Sequence, residues 1–185
     1  MRLTNYSDYA LRSLIYLATK PEPYLLANIS DIAVSYHISK SHLTKIVHQL
    51  GQLGYIESVR GKNGGIRLAR APKDINLGVL IKEIEPDFAL VECFATSRTM
   101  VDAADKQINK QCIEINESYT NMVNEITLVN EHERSNQQPL GCVISPVCQL
   151  KGVFFEALTA FIAVLECYTL ADVITNKDEL AALLS

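Results

Sequence analysis

Residues 141–150 read GCVISPVCQL and place two thiols, Cys142 and Cys148, six positions apart, just ahead of a long apolar segment. Such a pair fits a disulfide, half of a metal site, or two buried apolar residues. The first fits poorly with a chain of five cysteines that shows no export signal, because reducing compartments keep thiols free. Cys142 and Cys148 flank Pro146 in a loop, and Cys148 starts a helix whose dipole favours a thiolate. Soft thiolates select zinc or an iron-sulfur cluster, and either requires a third and fourth ligand beyond C-x5-C. Cys93, in FALVEC, is a third thiol near a break; Cys112 and Cys167 occupy apolar seams and read as small buried residues.

A second set of residues has the chemistry of nucleic-acid contact. The segment 39–53 carries Leu43, Ile46, Val47, Leu50 and Leu53 on one helical side. Its other side must then present Lys40, Ser41, His42 and Lys45, with Thr44 and His48 at its edges and Ser39 as cap. These are donors and acceptors for base edges and phosphates, and no acid occurs between Asp31 and Glu57. Further on, Arg60, Lys62, Asn63, Gly64, Gly65 and Arg67 make a basic, glycine-rich hairpin tip suited to the minor groove. Its GKxGG string lacks the spacing and strand-to-helix setting of a phosphate loop.

The elements that must position these residues follow from periodicity. Residues 5–19 predict a helix capped by Asn5 or Ser7, and Ser30 opens a short second helix ending near Tyr36. After a turn at His37 the polar-faced third helix runs to Gly54. YIESV and IRLAR predict two strands, with Asn63-Gly64-Gly65 supplying the positive φ of the hairpin turn. A helix-turn-helix followed by a basic hairpin is a winged helix, here over residues 1–75. A connecting helix and the first cysteine fill 76–93, with Pro86 as its stop.

From 94 to 140 the composition is polar, yet Ile108, Cys112, Ile115, Tyr119, Met122, Ile126 and Val129 repeat at 4 and 3 residues, predicting an inserted helical arm that ends in a loop. Residues 141–185 then hold the cysteine loop and a helix apolar on most sides, which predicts dimerisation. The fold class expected is mainly α.

Charge separates along this plan. Residues 1–74 hold ten Lys and Arg against five Asp and Glu, and the remainder holds seven against sixteen, so the overall −4 conceals a basic lobe on an acidic body. That distribution suits double-stranded DNA as partner. No run reaches the roughly 20 apolar residues of a membrane span, which points to a cytoplasmic protein with no membrane partner. No catalytic His, Glu or Ser constellation is evident, so an enzyme is not expected.

LTNYSDYALRSLIYLAT, ISKSHLTKIVHQLGQLGYIESVRGKNGGIRLARAP and CVISPVCQLK resemble the NsrR-type repressors, nitric-oxide-responsive members of the winged-helix iron-sulfur regulators that include IscR. The resemblance covers residues 1–93 and 140–175. It implies a homodimeric repressor with an iron-sulfur cluster held by Cys93, Cys142 and Cys148 and by the partner subunit's Asp8, with nitric oxide releasing DNA. The cluster implied is 4Fe-4S, with 2Fe-2S or none as alternatives. The family joins its first two ligand cysteines by a short loop, whereas 48 residues separate Cys93 from Cys142 here. Loop closure grows only logarithmically with length, so the site survives if the ends of the arm meet. Three other readings stay open: a cluster-free or thiol-sensing regulator, a structural zinc site, and, from another class, a small iron-sulfur redox protein. Asp8 itself also reads as a surface acid paired with Arg12 one turn later.

Overall fold

Thr4 starts the first helix, α1 (Asn5–Ala18): its backbone is extended and its side chain accepts from the Ser7 N–H. The cap expected at Asn5 or Ser7 thus falls one residue before Asn5, and Ser7 is instead buried, its hydroxyl donating to Glu85. This computed structural model describes residues 3–22, 25–85, 88, 144 and 147–184. The arm expected over 94–140, Cys93 and Cys142 lie outside the described residues.

Two compact units divide the chain, residues 1–86 with 164–185, and residues 87–163. In the first, α1 buries Ala10, Leu14 and Leu17. Helix α2 (Ile29–Ser35) follows, and α3 (Lys40–Gln52) buries Leu43, Ile46, Val47 and Leu50. Between them His37 adopts φ 54°, a left-handed conformation that lets the chain reverse within a short turn.

Strands β1 (Ile56–Val59) and β2 (Gly65–Leu68) pair antiparallel, with Ile56 opposite Leu68 and Glu57 opposite Arg67. Ala27, just before α2, exchanges two 2.9 Å backbone hydrogen bonds with Ile66, so the hairpin base is stitched to the helix-turn-helix on its second edge. The fold is the winged helix-turn-helix expected, within a mainly helical chain.

After a 3-10 turn at Pro72–Asp74, α4 (Leu77–Ile84) is capped by the Asn76 side chain, which accepts from the Val79 N–H at 3.0 Å. The distal end of the chain completes this unit. Leu170 is fully buried and its N–H donates to the Ile75 carbonyl at 2.8 Å, while the Leu77 N–H donates to Tyr168 at 2.9 Å. The Asn76 amide donates to the Glu166 carbonyl at 2.6 Å, and Lys82 and Glu166 form a mostly buried ion pair of 2.8 Å. Helix α6 (Lys177–Leu183) ends where the Leu184 carbonyl accepts from the Ser35 hydroxyl of α2.

The 18-residue helix α5 (Gln149–Glu166) starts in the second unit and supplies its last residues to the first. It buries Leu158 and Ile162 but leaves Leu150, Val153 and Val164 more than half exposed. Among the described residues no helix is long and apolar enough to cross a membrane.

Candidate nucleic-acid interface

Because α3 sinks its apolar stripe against α1 and α2, the opposite face is fixed. Lys40, Ser41, His42, Thr44, Lys45 and His48 are all exposed, as is Ser39, whose hydroxyl lies 2.8 Å from that of Ser41. The structure therefore gathers every predicted residue of this segment on one polar surface. No acid interrupts it.

Two residues that sequence reasoning missed hold α3 in place. The Tyr6 hydroxyl of α1 donates to the Gln49 side chain at 2.5 Å and lies 3.3 Å from the Lys45 carbonyl. At the far end, Arg70 donates from Nε to the Gly54 carbonyl and from an η nitrogen to the Leu53 carbonyl, both at 2.9 Å. These are carbonyls at the helix C-terminus, where a cation is favoured. The Arg70 guanidinium also sits 4.6 Å from the ring centroid of Tyr55, whose hydroxyl donates to Glu83 at 2.5 Å. Burial and the Glu83 carboxylate push the Tyr55 phenol well above its usual range.

At the hairpin tip Arg60, Lys62 and Asn63 are exposed. The positive φ expected from Asn63-Gly64-Gly65 is found instead at Gly61, at 126°. The other two glycines serve close approach. A Cβ on Gly64 would strike the Val59 carbonyl oxygen, and one on Gly65 would lie 2.7 Å from the Ala27 oxygen, at the bridge that anchors the wing. Arg67 lies in β2, and its guanidinium pairs with Glu57, directly opposite across the ladder, at 2.9 Å. The cationic tip thus rests on Arg60 and Lys62.

Of the metal-site residues, Cys148 is half-buried and immediately precedes α5. Asp8 is half-buried and accepts from Arg12 Nε at 3.0 Å, a bond that raises the guanidinium above its ordinary value. The Arg12 guanidinium also lies 5.7 Å from the ring centroid of Tyr36, at the helix-turn-helix turn. Among the described residues no group of three His, Cys, Asp or Glu is arranged to hold a metal ion.

A family model described as Rrf2, an iron-dependent transcriptional regulator, matches residues 3–130. The chain belongs to the Rrf2 family. Similarity extends beyond that segment: the HTH-type transcriptional regulator NsrR of Halalkalibacterium halodurans is 42% identical over 184 residues, spanning 100% of this chain and 97% of that relative. The NsrR of Bacillus licheniformis is 43% identical over 185 residues, spanning 100% of both. In three dimensions the Rrf2 chain is similar to T. potens IscR, with a TM-score of 0.54 at 19% identity over 97% of this chain and 90% of that one. That likeness concerns the fold. The Rrf2 chain is accordingly a DNA-binding transcriptional regulator of the NsrR type.

Proposed function

We propose that this regulator is a cytoplasmic homodimeric repressor that reads DNA through α3 and the wing, and responds to nitric oxide or redox state through an iron-sulfur cluster. The observation that carries the reading is the acid-free polar face of α3 beside an exposed cationic wing tip, in a chain 42% identical to NsrR-named regulators. Ser39, Lys40, Ser41, His42 and Lys45 would face the major groove. Arg60, Lys62 and Asn63 would follow the minor groove, Gly64 and Gly65 would keep the hairpin base close-packed, and Arg67 would support the wing from within the ladder.

For the cluster, the donor set fits by its chemistry: Cys93, Cys142 and Cys148 supply thiolates and the partner subunit's Asp8 a carboxylate, which suits iron of a 4Fe-4S type. What the group would supply is reactivity toward nitric oxide and small oxidants. This chain's residues do the rest. Cys148 immediately precedes α5. Asp8 stands on α1, which packs against α3. An Asp8 carboxylate taken by a ligand leaves Arg12 to its second contact, Tyr36 at the helix-turn-helix turn. The exposed apolar residues of α5, Leu150 and Val153 among them, are what a second copy would cover.

The deciding experiment is iron and sulfide analysis of anaerobically purified protein, followed by DNA-binding titrations before and after nitric oxide. Iron and sulfide in a brown protein, with DNA released on exposure, support the proposal. A colourless protein that reconstitution leaves iron-free, yet whose DNA binding responds to thiol oxidants, sinks the cluster and favours a thiol switch.

A further inference from the structure

Helix α1 packs on the polar-faced helix α3, and the two bury apolar side chains, Ala10 and Leu14 among them on α1 and Leu43, Ile46, Val47 and Leu50 on α3. Apolar contacts resist separation but fix rotation weakly, because dispersion and burial are not directional. Hydrogen bonds are directional. Among the described residues, those joining α1 to α3 come from the Tyr6 phenol, which donates to Gln49 Oε1 at 2.5 Å and reaches the Lys45 carbonyl at 3.3 Å. Both acceptors lie within one turn of Lys45, on the flank of the face that carries Ser41, Lys45 and His48.

The first turn that carries Tyr6 is itself anchored. The Thr4 N–H donates to Glu85 at 3.2 Å, the Thr4 hydroxyl does so at 3.1 Å, and the Ser7 hydroxyl binds the same carboxylate. Burial raises the Tyr6 phenol above its usual value, which keeps it a donor through the neutral range. With one lone pair of Gln49 Oε1 taken by the phenol, the amide keeps both its N–H donors. Those donors suit phosphate oxygens and the acceptor edge of guanine.

We propose that Tyr6 is a positioning residue for DNA reading: its hydroxyl fixes the rotation of α3 on α1 and holds the Gln49 amide beside Lys45. The proposal rests on α3 being the reading helix.

The test begins by selecting a preferred site from a random duplex pool with the wild-type full chain. Affinities for that site and for random duplex are then measured at several salt concentrations for Tyr6→Phe, Gln49→Ala, Gln49→Glu, the Tyr6→Phe/Gln49→Ala pair and Lys45→Ala. Tyr6→Phe keeps the ring and should weaken the selected site by about 3- to 10-fold, the scale of one hydrogen bond, with random-duplex affinity and the salt slope unchanged. Gln49→Glu keeps an acceptor for Tyr6 but removes the donors, and should weaken the selected site at least as much. The double variant should be no weaker than the weaker single one, because the two residues act as one unit. Wild-type affinity in Tyr6→Phe, equal losses on selected and random DNA, or additive losses in the double variant would overturn the proposal. If Lys45→Ala also binds the selected site normally, it is the reading-helix assignment that falls. If only Lys45→Ala is impaired, the Tyr6 role alone falls.

Discussion

Asp8 is a residue whose structural and functional demands separate cleanly. Its bond to Arg12 joins two side chains that are 45% and 44% exposed, and exposed pairs of this kind contribute only about 0.2–1 kcal/mol. Asp8→Asn should therefore leave the unfolding midpoint of the cluster-free protein almost unchanged, while under the proposed function it lowers iron retention after anaerobic reconstitution. Unchanged iron content would remove Asp8 from the ligand set. Glu85 is the opposite case. Its buried carboxylate accepts three donors from the start of α1, and Glu85→Ala removes all three bonds, that of the buried Ser7 included, so urea titration should show a loss of about 2–4 kcal/mol. A further test concerns Tyr55, whose phenol is held neutral in the fold: its folded pKa exceeds the unfolded value near 10, so this contribution is complete below about pH 10 and is lost as pH climbs toward the folded value. Unfolding measured from pH 9 upward should show that alkaline loss in the wild type and a flatter profile in Tyr55→Phe. The exposed residues of α3 were legible in the sequence because a buried stripe dictates its complement. Tyr6, Arg70 and Glu85 were not, since their partners lie 43, 17 and 81 residues away and leave no local pattern.

Among the elements, the proposed function divides the work of binding between α3 and the wing. Arg60→Ala and Lys62→Ala remove exposed cations from the hairpin tip and should weaken binding to all duplexes alike, each lowering the salt slope by about 1. Ser41→Ala or His42→Ala should instead narrow the gap between selected and random sites at constant slope. The joint between α4 and the end of α5 is a second element-scale device. A Cβ on Gly78 would strike the Glu166 side chain and lie 2.7 Å from the Glu166 backbone nitrogen, so Gly78→Ala should destabilise the protein by about 1–3 kcal/mol in thermal unfolding. The helices and strands of the winged region were readable from periodicity and turn residues, and α4 spans the segment expected. The wing turn was not: the Asn63-Gly64-Gly65 run suggested positive φ there, whereas the connection between β1 and β2 takes it at Gly61.

For the molecule as a whole, the proposed dimer makes α5 the element to disrupt. Leu150→Glu with Val153→Glu places charges at positions 54% and 57% exposed in the single chain, where the fold should tolerate them. Sedimentation equilibrium should then report the 20.6 kDa chain mass instead of twice that value, and affinity for a two-half-site duplex should drop sharply. A double variant that still sediments at twice the chain mass would exclude this face. The charge division between a basic first part and an acidic remainder was visible in the sequence. The return of residues 164–185 to the first unit was not, because nothing in a local pattern states which distant strip covers Ile75.

That return has a consequence for biosynthesis. Residues carrying α3 and the wing leave the ribosome first, whereas Leu170, which the first unit buries completely, is made 102 residues after Leu68, the last residue of β2. The first unit therefore cannot finish folding until that segment has emerged, and a product terminated before it would carry α3 with an open core. Such a fragment is a substrate for proteases and chaperones, not a competitor for the operator.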